Sequence, residues 1–336
     1  MCTLEVAMAE GITTRRLGVL TSGGDAPGMN AVIRAFVRSA IHKGWYVYGI
    51  RSGFAGLLAQ DFLCLGWRDV SGIIQQGGTV LRSARCPEFV LAEAQERAIG
   101  ILRDQHITGL VVVGGNGSQA GAHALATRGF PVVGVGATID NDLFGAEIAV
   151  GVDSALNVAV EAIDRLKVTA ASHQRAFLVE VMGNTSGYLA LVSAIAGGAE
   201  VVVVPEVHVE PAAIAGELRG AYDRGHAHAI AVVAEGAKNN ADVLERYFQA
   251  HGTELGFELR VTKLGHVQRG GTPGVFDRLL GTRLGAAACD YLGRGEAGVF
   301  LGMVGGKIRP TSLAGAATNK KVLEPELIAL ARVLAH

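Results

Sequence analysis

Residues 138–142, Thr-Ile-Asp-Asn-Asp, have side chains that can move a proton and hold a cation. Asp140 and Asp142 lie two residues apart, so in an extended segment both carboxylates face the same side. One could accept a proton from a hydroxyl group while the other helps to hold a metal ion or a sugar hydroxyl. A helix cap or a solvated turn is the more common role of such clusters, so the segment alone leaves both interpretations open.

Two glycine-rich loops could bind an anion. In residues 21–28, glycines permit a tight turn before a helix predicted at about residues 29–41, whose amide groups and positive dipole end would face a phosphate. In residues 114–118, glycines permit close approach of a polyphosphate, and Ser118 offers a hydroxyl donor. An ordinary strand-to-helix turn also explains each loop. Neither loop has the Walker pattern or the dinucleotide-binding glycine spacing.

Further along the chain lie cations that could neutralise a phosphoryl group in transfer. They are Arg85, Arg175, Arg260, His266 and Arg269. Each alone fits an ordinary surface charge. Together they complete a set of residues suited to phosphate chemistry.

The elements that would position these residues are short apolar strands alternating with helical stretches, a pattern typical of parallel strands joined by crossover helices. The predicted strands cover residues 17–20, 46–50, 110–113, 132–135, 177–181, 201–204, 230–234 and 299–303. The pattern predicts an α/β fold with open, doubly wound sheets. Ligands bind such sheets at the carboxyl ends of the strands, and the polar loops follow there.

Composition excludes several classes of protein. A chain of 336 residues suits one or two α/β lobes, and none of its apolar runs approaches the roughly 20 residues of a membrane span. Four separated cysteines argue against a disulfide framework or a structural zinc site. Thirty basic residues balance thirty-one acidic ones without a basic patch, so no nucleic-acid partner is expected. With no signal peptide evident, we expect a cytoplasmic protein with a small-molecule partner.

Taken in order, eight segments resemble bacterial ATP-dependent 6-phosphofructokinases. They are residues 21–30, 77–89, 114–118, 138–142, 162–175, 179–183, 194–207 and 264–271. The resemblance covers nearly the whole chain after residue 16 and implies two doubly wound, mainly parallel-sheet lobes with the active site between them. The expected nucleotide-binding lobe comprises residues 1–151 and 268–316, with 1–16 as a loose tail. The expected sugar-phosphate-binding lobe comprises residues 152–267 and 317–336.

The resemblance implies a glycolytic kinase that uses ATP and Mg²⁺ to phosphorylate fructose 6-phosphate at its 1-hydroxyl, giving fructose 1,6-bisphosphate. Asp140 would be the base, Thr138 would lie beside the transferred phosphoryl group, and Arg85 would bridge the phosphates. Asp142 and Asn116 would hold the metal. The family places further substrate contacts at Asp142, Arg175, Met182, Gly183, Glu235, Arg260, His266 and Arg269, and nucleotide contacts at Gly24, Arg85, Cys86, Gly115, Asn116, Gly117 and Ser118.

Arg175 and Arg260 match arginines that reach the sugar phosphate of a neighbouring subunit, so the resemblance implies a homo-oligomer, usually a tetramer. The phosphate donor can also be inferred from two positions. Relatives that use pyrophosphate have an aspartate where this chain has Gly117 and a lysine where it has Ala137. Neither is present, which favours ATP.

The chain departs from the family at two site positions. Asn116 replaces an aspartate near the magnesium ion, and Asn184 replaces an arginine near the phosphates. Because an amide brings no negative charge to the metal, we expect weaker metal use or slower turnover. Arg82, in place of a small residue, could restore some of the lost positive charge.

A set of cations with one acid resembles the family's allosteric effector site. Its members are Arg34, Arg38, Lys167, Glu200, Arg224, His226 and His228. Trp67 and Gly72 replace an arginine and an aspartate there, which argues against control by ADP or phosphoenolpyruvate. A subunit interface is the alternative role of these residues.

These residues favour four functions to different degrees. The first is an ATP-dependent fructose 6-phosphate kinase, and the second is a kinase of another sugar phosphate with altered contacts near Met182 and Asn184. The third is a catalytically weak regulatory paralogue, which Asn116 favours and the retained Asp140 opposes. A dinucleotide oxidoreductase lacks its glycine spacing and is remote.

Overall fold

The computed structural model describes residues 15–173 and 175–335, and the chain forms two compact units. The first unit contains the described chain up to Thr138 together with Leu143–Gly151 and Thr272–Lys321. The second contains Ile139–Asp142, Val152–Gly271 and the described chain from Val322 onward. Of the predicted loose tail, residues 1–14 lie outside the described residues, and Arg16 already belongs to a strand.

Strands and helices alternate along the described chain. The strands are β1 (Arg16–Ser22), β2 (Tyr46–Ile50), β3 (Phe62–Leu65), β4 (Gly109–Gly114), β5 (Val132–Gly136), β6 (Ala176–Val181), β7 (Val201–Val203), β8 (Ala229–Ala234), β9 (Leu259–Lys263), β10 (Val299–Val304) and β11 (Lys307–Ser312). The α-helices are α1 (Met29–His42), α2 (Gly53–Leu58), α3 (Ala92–Asp104), α4 (Asn116–Thr127), α5 (Val152–His173), α6 (Tyr188–Gly197), α7 (Pro211–Asp223), α8 (Ala241–Leu255), α9 (Val275–Arg294), α10 (Leu313–Thr318) and α11 (Pro325–Leu334). Short 3₁₀ helices cover Pro87–Val90 and Gly265–Gln268.

The first unit is built on a seven-stranded sheet with the order β11-β10-β5-β4-β1-β2-β3. Its central pairs are parallel, and only the edge pairs β2–β3 and β10–β11 are antiparallel. Every residue of β4 and β5 is buried, because helices cover both faces of a parallel sheet. A strand that is buried on both faces needs a continuous apolar sequence, as in the Leu-Val-Val-Val of β4.

Helices α1 and α9 pack closely in the first unit. Gly285 makes this possible, because a Cβ atom at that position would lie 2.3 Å from the carbonyl oxygen of Val32. Further along the same contact, the fully buried Asp277 accepts a hydrogen bond of 2.8 Å from the backbone N–H of Gly151. The contact fixes α1, the helix that follows the first glycine-rich loop.

The second unit is built on a four-stranded, all-parallel sheet with the order β7-β8-β6-β9. All six residues of β8 are buried, and its inward side chains pack against the apolar faces of α7 and α8. Leu218, Leu244 and Phe248 are core members from those helices. Asn240 caps α8 by accepting a hydrogen bond of 3.3 Å from the N–H of Val243, which fixes where that helix begins.

The predicted α/β class, with mainly parallel sheets in two lobes, is confirmed. All eight predicted strands are present, with ends that differ by two residues at most. The apolar pattern did not predict β3, β9 and β11, and all three are edge strands. An edge strand is less buried, so it mixes polar and apolar residues and lacks the continuous apolar pattern. Among the described residues, no helix is both long and apolar enough to cross a membrane.

Candidate active site

The carboxyl ends of β1, β4 and β5 lie side by side, because these strands are neighbours in the first sheet and run parallel. The two glycine-rich loops follow β1 and β4, and Thr138 follows β5. Thr138 is buried and its backbone N–H donates to the carbonyl oxygen of Val150 at 3.0 Å. The strand order therefore gathers these polar segments on one edge, as the sequence predicted.

Ser118 joins the two glycine-rich loops. Its hydroxyl group donates to the carbonyl oxygen of Ser22 at 2.8 Å, and its side chain is buried. A Cβ atom at Gly114 would lie 2.4 Å from both the Ser118 hydroxyl and that carbonyl, so only glycine fits there. The hydroxyl proposed from sequence as a phosphate donor already donates its proton within the protein.

Helix α4 begins at this edge with its first turn open to solvent. Asn116 and Gly117 are exposed, and the first turn contains no acidic residue. A Cβ atom added at Gly117 would meet no described atom within 4 Å, so space lies next to it. The unpaired amides of a helix start and its positive dipole end favour an anion at this place.

A further loop, residues 79–85, is hydrogen-bonded to the end of β1 and the turn that follows it. The Thr21 hydroxyl donates to the carbonyl oxygen of Arg82 at 2.7 Å, and the Ser83 hydroxyl donates to that of Gly23 at 2.5 Å. The Thr79 hydroxyl lies 2.9 Å from that of Thr21, and since the latter's proton is used, Thr79 is the donor. These bonds hold the loop that carries the predicted cation Arg85.

The other predicted nucleotide contacts of the first unit lie close to these loops in sequence. Gly24 and Arg85 are exposed, whereas Gly115 and Cys86 are half-buried. Burial raises the pKa of the Cys86 thiol, and the nearby Glu88 carboxylate raises it further. The thiol is therefore neutral near pH 7 and suits a packing contact better than a charged one.

In the second unit, the predicted base Asp140 forms an ion pair with Arg269. The distance from the Asp140 Oδ1 atom to the Arg269 Nη2 atom is 3.8 Å, and the two side chains are only 13% and 16% exposed. Arg269 follows the 3₁₀ helix that carries the exposed His266, and its N–H donates to the carbonyl oxygen of His266 at 3.0 Å. The structure thus brings three predicted site residues to the same place.

The segment around Asp140 is not extended, which corrects a premise of the sequence analysis. Asn141 lies between the two carboxylates with a φ of 51°, in the left-handed region that asparagine tolerates better than most residues. It is buried, and its side chain hydrogen-bonds to Tyr188. The alternation of an extended segment therefore does not set the directions of Asp140 and Asp142.

The turn after β6 carries the predicted contacts Met182 and Gly183. Glu235 accepts backbone hydrogen bonds from Gly183 at 3.2 Å and from Asn184 at 2.8 Å through one carboxylate oxygen. Gln268 accepts a bond of 2.8 Å from the N–H of Met182. Glu235, predicted as a substrate contact, thus also holds this turn.

Gln268 is a residue that sequence reasoning missed. It is fully buried, and its Nε2 atom has no hydrogen-bond partner among the residues described. A glutamine between the valine at 267 and Arg269 gives no local signal of its role. Its function depends on the distant Met182 backbone, which the sequence does not place.

Arg175 and Arg260 lie apart from this group. Both form ion pairs with Glu258, at 3.0 Å and 2.8 Å. Arg175 directly precedes β6 and Met182 directly follows it, so the two ends are separated by about 20 Å of strand. These arginines therefore lie near the amino ends of the strands of the second sheet, whereas the turn after β6 lies at the carboxyl ends.

The residues of the predicted effector site are divided between the two units. On α1, the guanidinium of Arg38 lies 5.2 Å from the ring centre of Trp67, and burial together with Arg38 lowers the pKa of Arg34. In the second unit, the buried Glu200 accepts a bond of 2.7 Å from the N–H of Ile230 and lies 3.4 Å from the His226 ring.

The remaining predicted effector residues also belong to the second unit. Lys167 is on α5, next to Gly198, and Arg224 follows α7 and donates to the carbonyl oxygen of Ala335 at 3.4 Å. His228 directly precedes β8. Several members of the set thus make structural contacts of their own.

Comparisons with known proteins agree with this geometry. The family model described as Phosphofructokinase matches residues 16–292. The ATP-dependent 6-phosphofructokinase 1 of Thermus thermophilus is 49% identical over 323 residues, which are 96% of this chain and 99% of the relative. The ATP-dependent 6-phosphofructokinase of Thermotoga neapolitana is 45% identical over 321 residues, covering 95% and 99% of the two chains.

Solved structures have the same fold. A phosphofructokinase structure from Saccharomyces cerevisiae matches with a TM-score of 0.82 and 36% identity. The match covers 90% of this chain and 45% of the yeast chain, so this chain spans less than half of that relative. A pyrophosphate-dependent phosphofructokinase from Marinobacter aquaeolei matches with a TM-score of 0.84 at 20% identity, which shows the fold alone. The chain belongs to the phosphofructokinase family.

Proposed function

We propose that this protein transfers the terminal phosphoryl group of ATP to the 1-hydroxyl of fructose 6-phosphate, giving fructose 1,6-bisphosphate and ADP. The observation that carries the proposal is the Asp140 carboxylate, which is ion-paired with Arg269 in a chain 49% identical to a bacterial ATP-dependent 6-phosphofructokinase. A positioned carboxylate is a suitable group to accept the proton of a reacting hydroxyl.

In the proposed mechanism, the 1-hydroxyl oxygen forms a bond to the terminal phosphorus while its proton moves to Asp140. The bond between that phosphorus and the bridging oxygen of ADP breaks, and ADP leaves with the electron pair. Phosphoryl transfer needs positioning and charge neutralisation more than covalent catalysis. Thr138 is assigned to the transferred group and Arg85 to the phosphate oxygens.

Mg²⁺ belongs to the same proposal, with Asn116 and Asp142 as its protein contacts. Among the described residues, no group of three or more His, Cys, Asp or Glu side chains could hold a metal. Asn116 is exposed at the start of α4, so its amide oxygen is accessible. One carboxylate and one amide fit an ion held mainly by substrate phosphates and water, which is how Mg²⁺ is usually bound. When bound, the ion would neutralise charge on the phosphates.

ATP rather than pyrophosphate as donor is supported by two positions. The open space beside Gly117 leaves room for a nucleotide. Ala137 is fully buried, so the lysine of pyrophosphate-using relatives would not fit there without rearrangement.

Sugar-phosphate contacts are proposed at Met182, Gly183, Glu235, His266 and Arg269. Arg175 and Arg260 would bind the sugar phosphate of a neighbouring subunit, since they lie near the amino ends of the strands and the turn after β6 lies at the carboxyl ends. A cytoplasmic homotetramer and an effector site remain proposals from the family resemblance. Asn116 favours a second candidate function, a catalytically weak regulatory paralogue.

ADP release by the purified protein, measured over a panel of sugar phosphates with and without Mg²⁺, tests the proposal. We expect turnover with fructose 6-phosphate and Mg²⁺, and a loss of about 10²–10⁴-fold in kcat for Asp140→Asn, the usual contribution of a positioned base. Asp104→Asn, an exposed aspartate at the end of α3, is the matched control. ATP binding without turnover would select the regulatory paralogue, and full activity of Asp140→Asn would disprove the assigned base.

A further inference from the structure

Arg82 has an unusual backbone conformation in the loop over residues 79–85. Its φ angle is 58°, in the left-handed region that L residues enter at a steric cost and glycine enters freely. Such conformations persist where the surrounding structure enforces them, and they cluster at ligand sites. Glycine would suit this backbone better, so the arginine side chain needs another explanation.

The loop around Arg82 is fixed by hydrogen bonds on both sides of the residue. Its N–H donates to the carbonyl oxygen of Thr79 at 3.1 Å, and its own carbonyl oxygen accepts from the Thr21 hydroxyl at 2.7 Å. The next residue, Ser83, is bound to Gly23 in the turn after β1. The backbone of Arg82 is therefore held next to the first glycine-rich loop.

Two cations of this loop are exposed, Arg82 and Arg85. Among the residues that the structure describes, neither side chain has an ion-pair or hydrogen-bond partner. Residues 77–85 include no Asp or Glu. Exposed cations in a segment without acidic residues favour an anionic ligand. Through Ser118 and Ser22, the same edge includes the open first turn of α4.

We propose that Arg82 is a second arginine contact to the polyphosphate of the nucleotide, in addition to Arg85. This inference rests on the proposed function, since it assigns Arg82 to the ATP used there. The family resemblance implies a small residue at position 82, where this chain has an arginine. Phosphate binding by the side chain would explain why an arginine, rather than a glycine, occupies this left-handed position.

Three variants test this assignment: Arg82→Gly, Arg82→Lys and the matched control Gln60→Gly. Gln60 is also an exposed residue of the first unit with a left-handed φ, 56°, and lies in the turn after α2. Dissociation constants for ADP and for Mg-ATP would be measured by calorimetry without sugar phosphate, together with Tm and steady-state kinetics.

We expect Arg82→Gly to weaken ADP and ATP binding by about 10–100-fold, the effect of losing one charge-assisted hydrogen bond. Its Tm should rise by about 1–2 °C because the strain is relieved. Arg82→Lys keeps the charge and should lose less affinity. Gln60→Gly should raise Tm similarly while nucleotide binding and kinetics stay unchanged.

Three outcomes would overturn the assignment. Unchanged nucleotide affinity in Arg82→Gly would refute it directly. A higher KM for fructose 6-phosphate with unchanged ATP binding would assign the arginine to the sugar phosphate instead. A lower Tm accompanying weaker binding would indicate a structural role. Because ADP binding needs no turnover, Arg82-dependent binding in a protein that does not phosphorylate fructose 6-phosphate would support this inference while refuting the proposed function.

Discussion

The candidate sites of the two units are built in opposite ways. In the first unit, hydroxyl groups and glycines fix the backbone, as Ser118 and Thr21 do, and the cations Arg82 and Arg85 have no partner among the described residues. In the second, the charged side chains are engaged: Asp140 pairs with Arg269, and Glu235 holds the turn after β6. The first site is a fixed backbone with exposed cations, which suits an anion, whereas the second is a set of balanced charges.

This difference predicts that substitutions act differently in the two units. Removing one charged side chain from the second site should leave its partner as an uncompensated, partly buried charge and also remove a substrate contact. Large effects on activity are therefore expected there. Hydrogen bonds of neutral groups in the first unit should mainly affect stability.

Among the substitutions that test this comparison of the two units, Arg269→Ala has the largest expected effect. It removes a proposed contact to the sugar phosphate and the ion-pair partner of Asp140, so we expect kcat/KM to fall by about 10²–10³-fold. Arg269→Lys should recover part of the loss. The control is Arg103→Ala, an exposed arginine at the end of α3. A change of less than about threefold would contradict the view of the second site as a balanced charge set.

Gln268→Leu tests whether the second site depends on its buried hydrogen bonds. The change leaves the Met182 N–H without an acceptor, so we expect a loss of about 1–3 kcal/mol in unfolding free energy and a KM for fructose 6-phosphate raised about tenfold. The KM for ATP should not change.

Gln95→Leu is the matched control for that variant in the first unit. Gln95 is also buried and donates a hydrogen bond of 2.7 Å to the carbonyl oxygen of Phe89. Its loss should lower stability without affecting the sugar-phosphate KM. Equal kinetic effects of the two variants would remove the proposed positioning role of Gln268.

The double variant Asn116→Asp with Asn184→Arg adds one charge to each unit and so restores the family's residues at both. We expect kcat to rise by about tenfold and less Mg²⁺ to be needed, because a carboxylate binds the ion better than an amide. Each single variant should give a smaller gain. A double variant no faster than the parent would count against a catalytic deficit.

The smallest predicted effect is a difference in alkaline stability between the units. Burial raises the pKa of Cys289, in the first unit, to about 12 from a usual value of 9.0, and raises that of Tyr222, in the second, to about 12 from 10.0. Both groups stay neutral in the folded protein while the unfolded chain ionises. Stability is therefore complete below pH 9 and falls as pH rises towards 12, by about 1 kcal/mol per pH unit for each ionising group.

Urea unfolding between pH 7 and pH 10.5, followed with Cys289→Ala and Tyr222→Phe, measures this difference. Cys289→Ala should flatten the decline that begins near pH 9, whereas Tyr222→Phe should act only above pH 10. If neither variant changed the slope, other groups would control the alkaline transition.

Local sequence predicted most of the fold and the glycine-rich loops at the carboxyl ends of the first sheet. Central parallel strands are buried on both faces, so their continuous apolar runs were recognisable, and glycine-rich loops follow them directly. The edge strands β3, β9 and β11 were missed because partial burial weakens that signal. The extended segment assumed at Asp140 was wrong because Asn141 is left-handed, and its side chain hydrogen-bonds to the distant Tyr188.

The sequence alone determined the α/β class and the positions of the central strands, because apolar periodicity and glycine-rich loops are local patterns. The resemblance to a phosphofructokinase came from eight segments of the same sequence. Only the tertiary structure decided that Arg269 pairs with Asp140, that Gln268 holds Met182, and that Arg82 is left-handed. Those contacts join residues far apart in the chain or depend on neighbours that enforce a strained backbone. They follow from packing, which one-dimensional patterns do not encode.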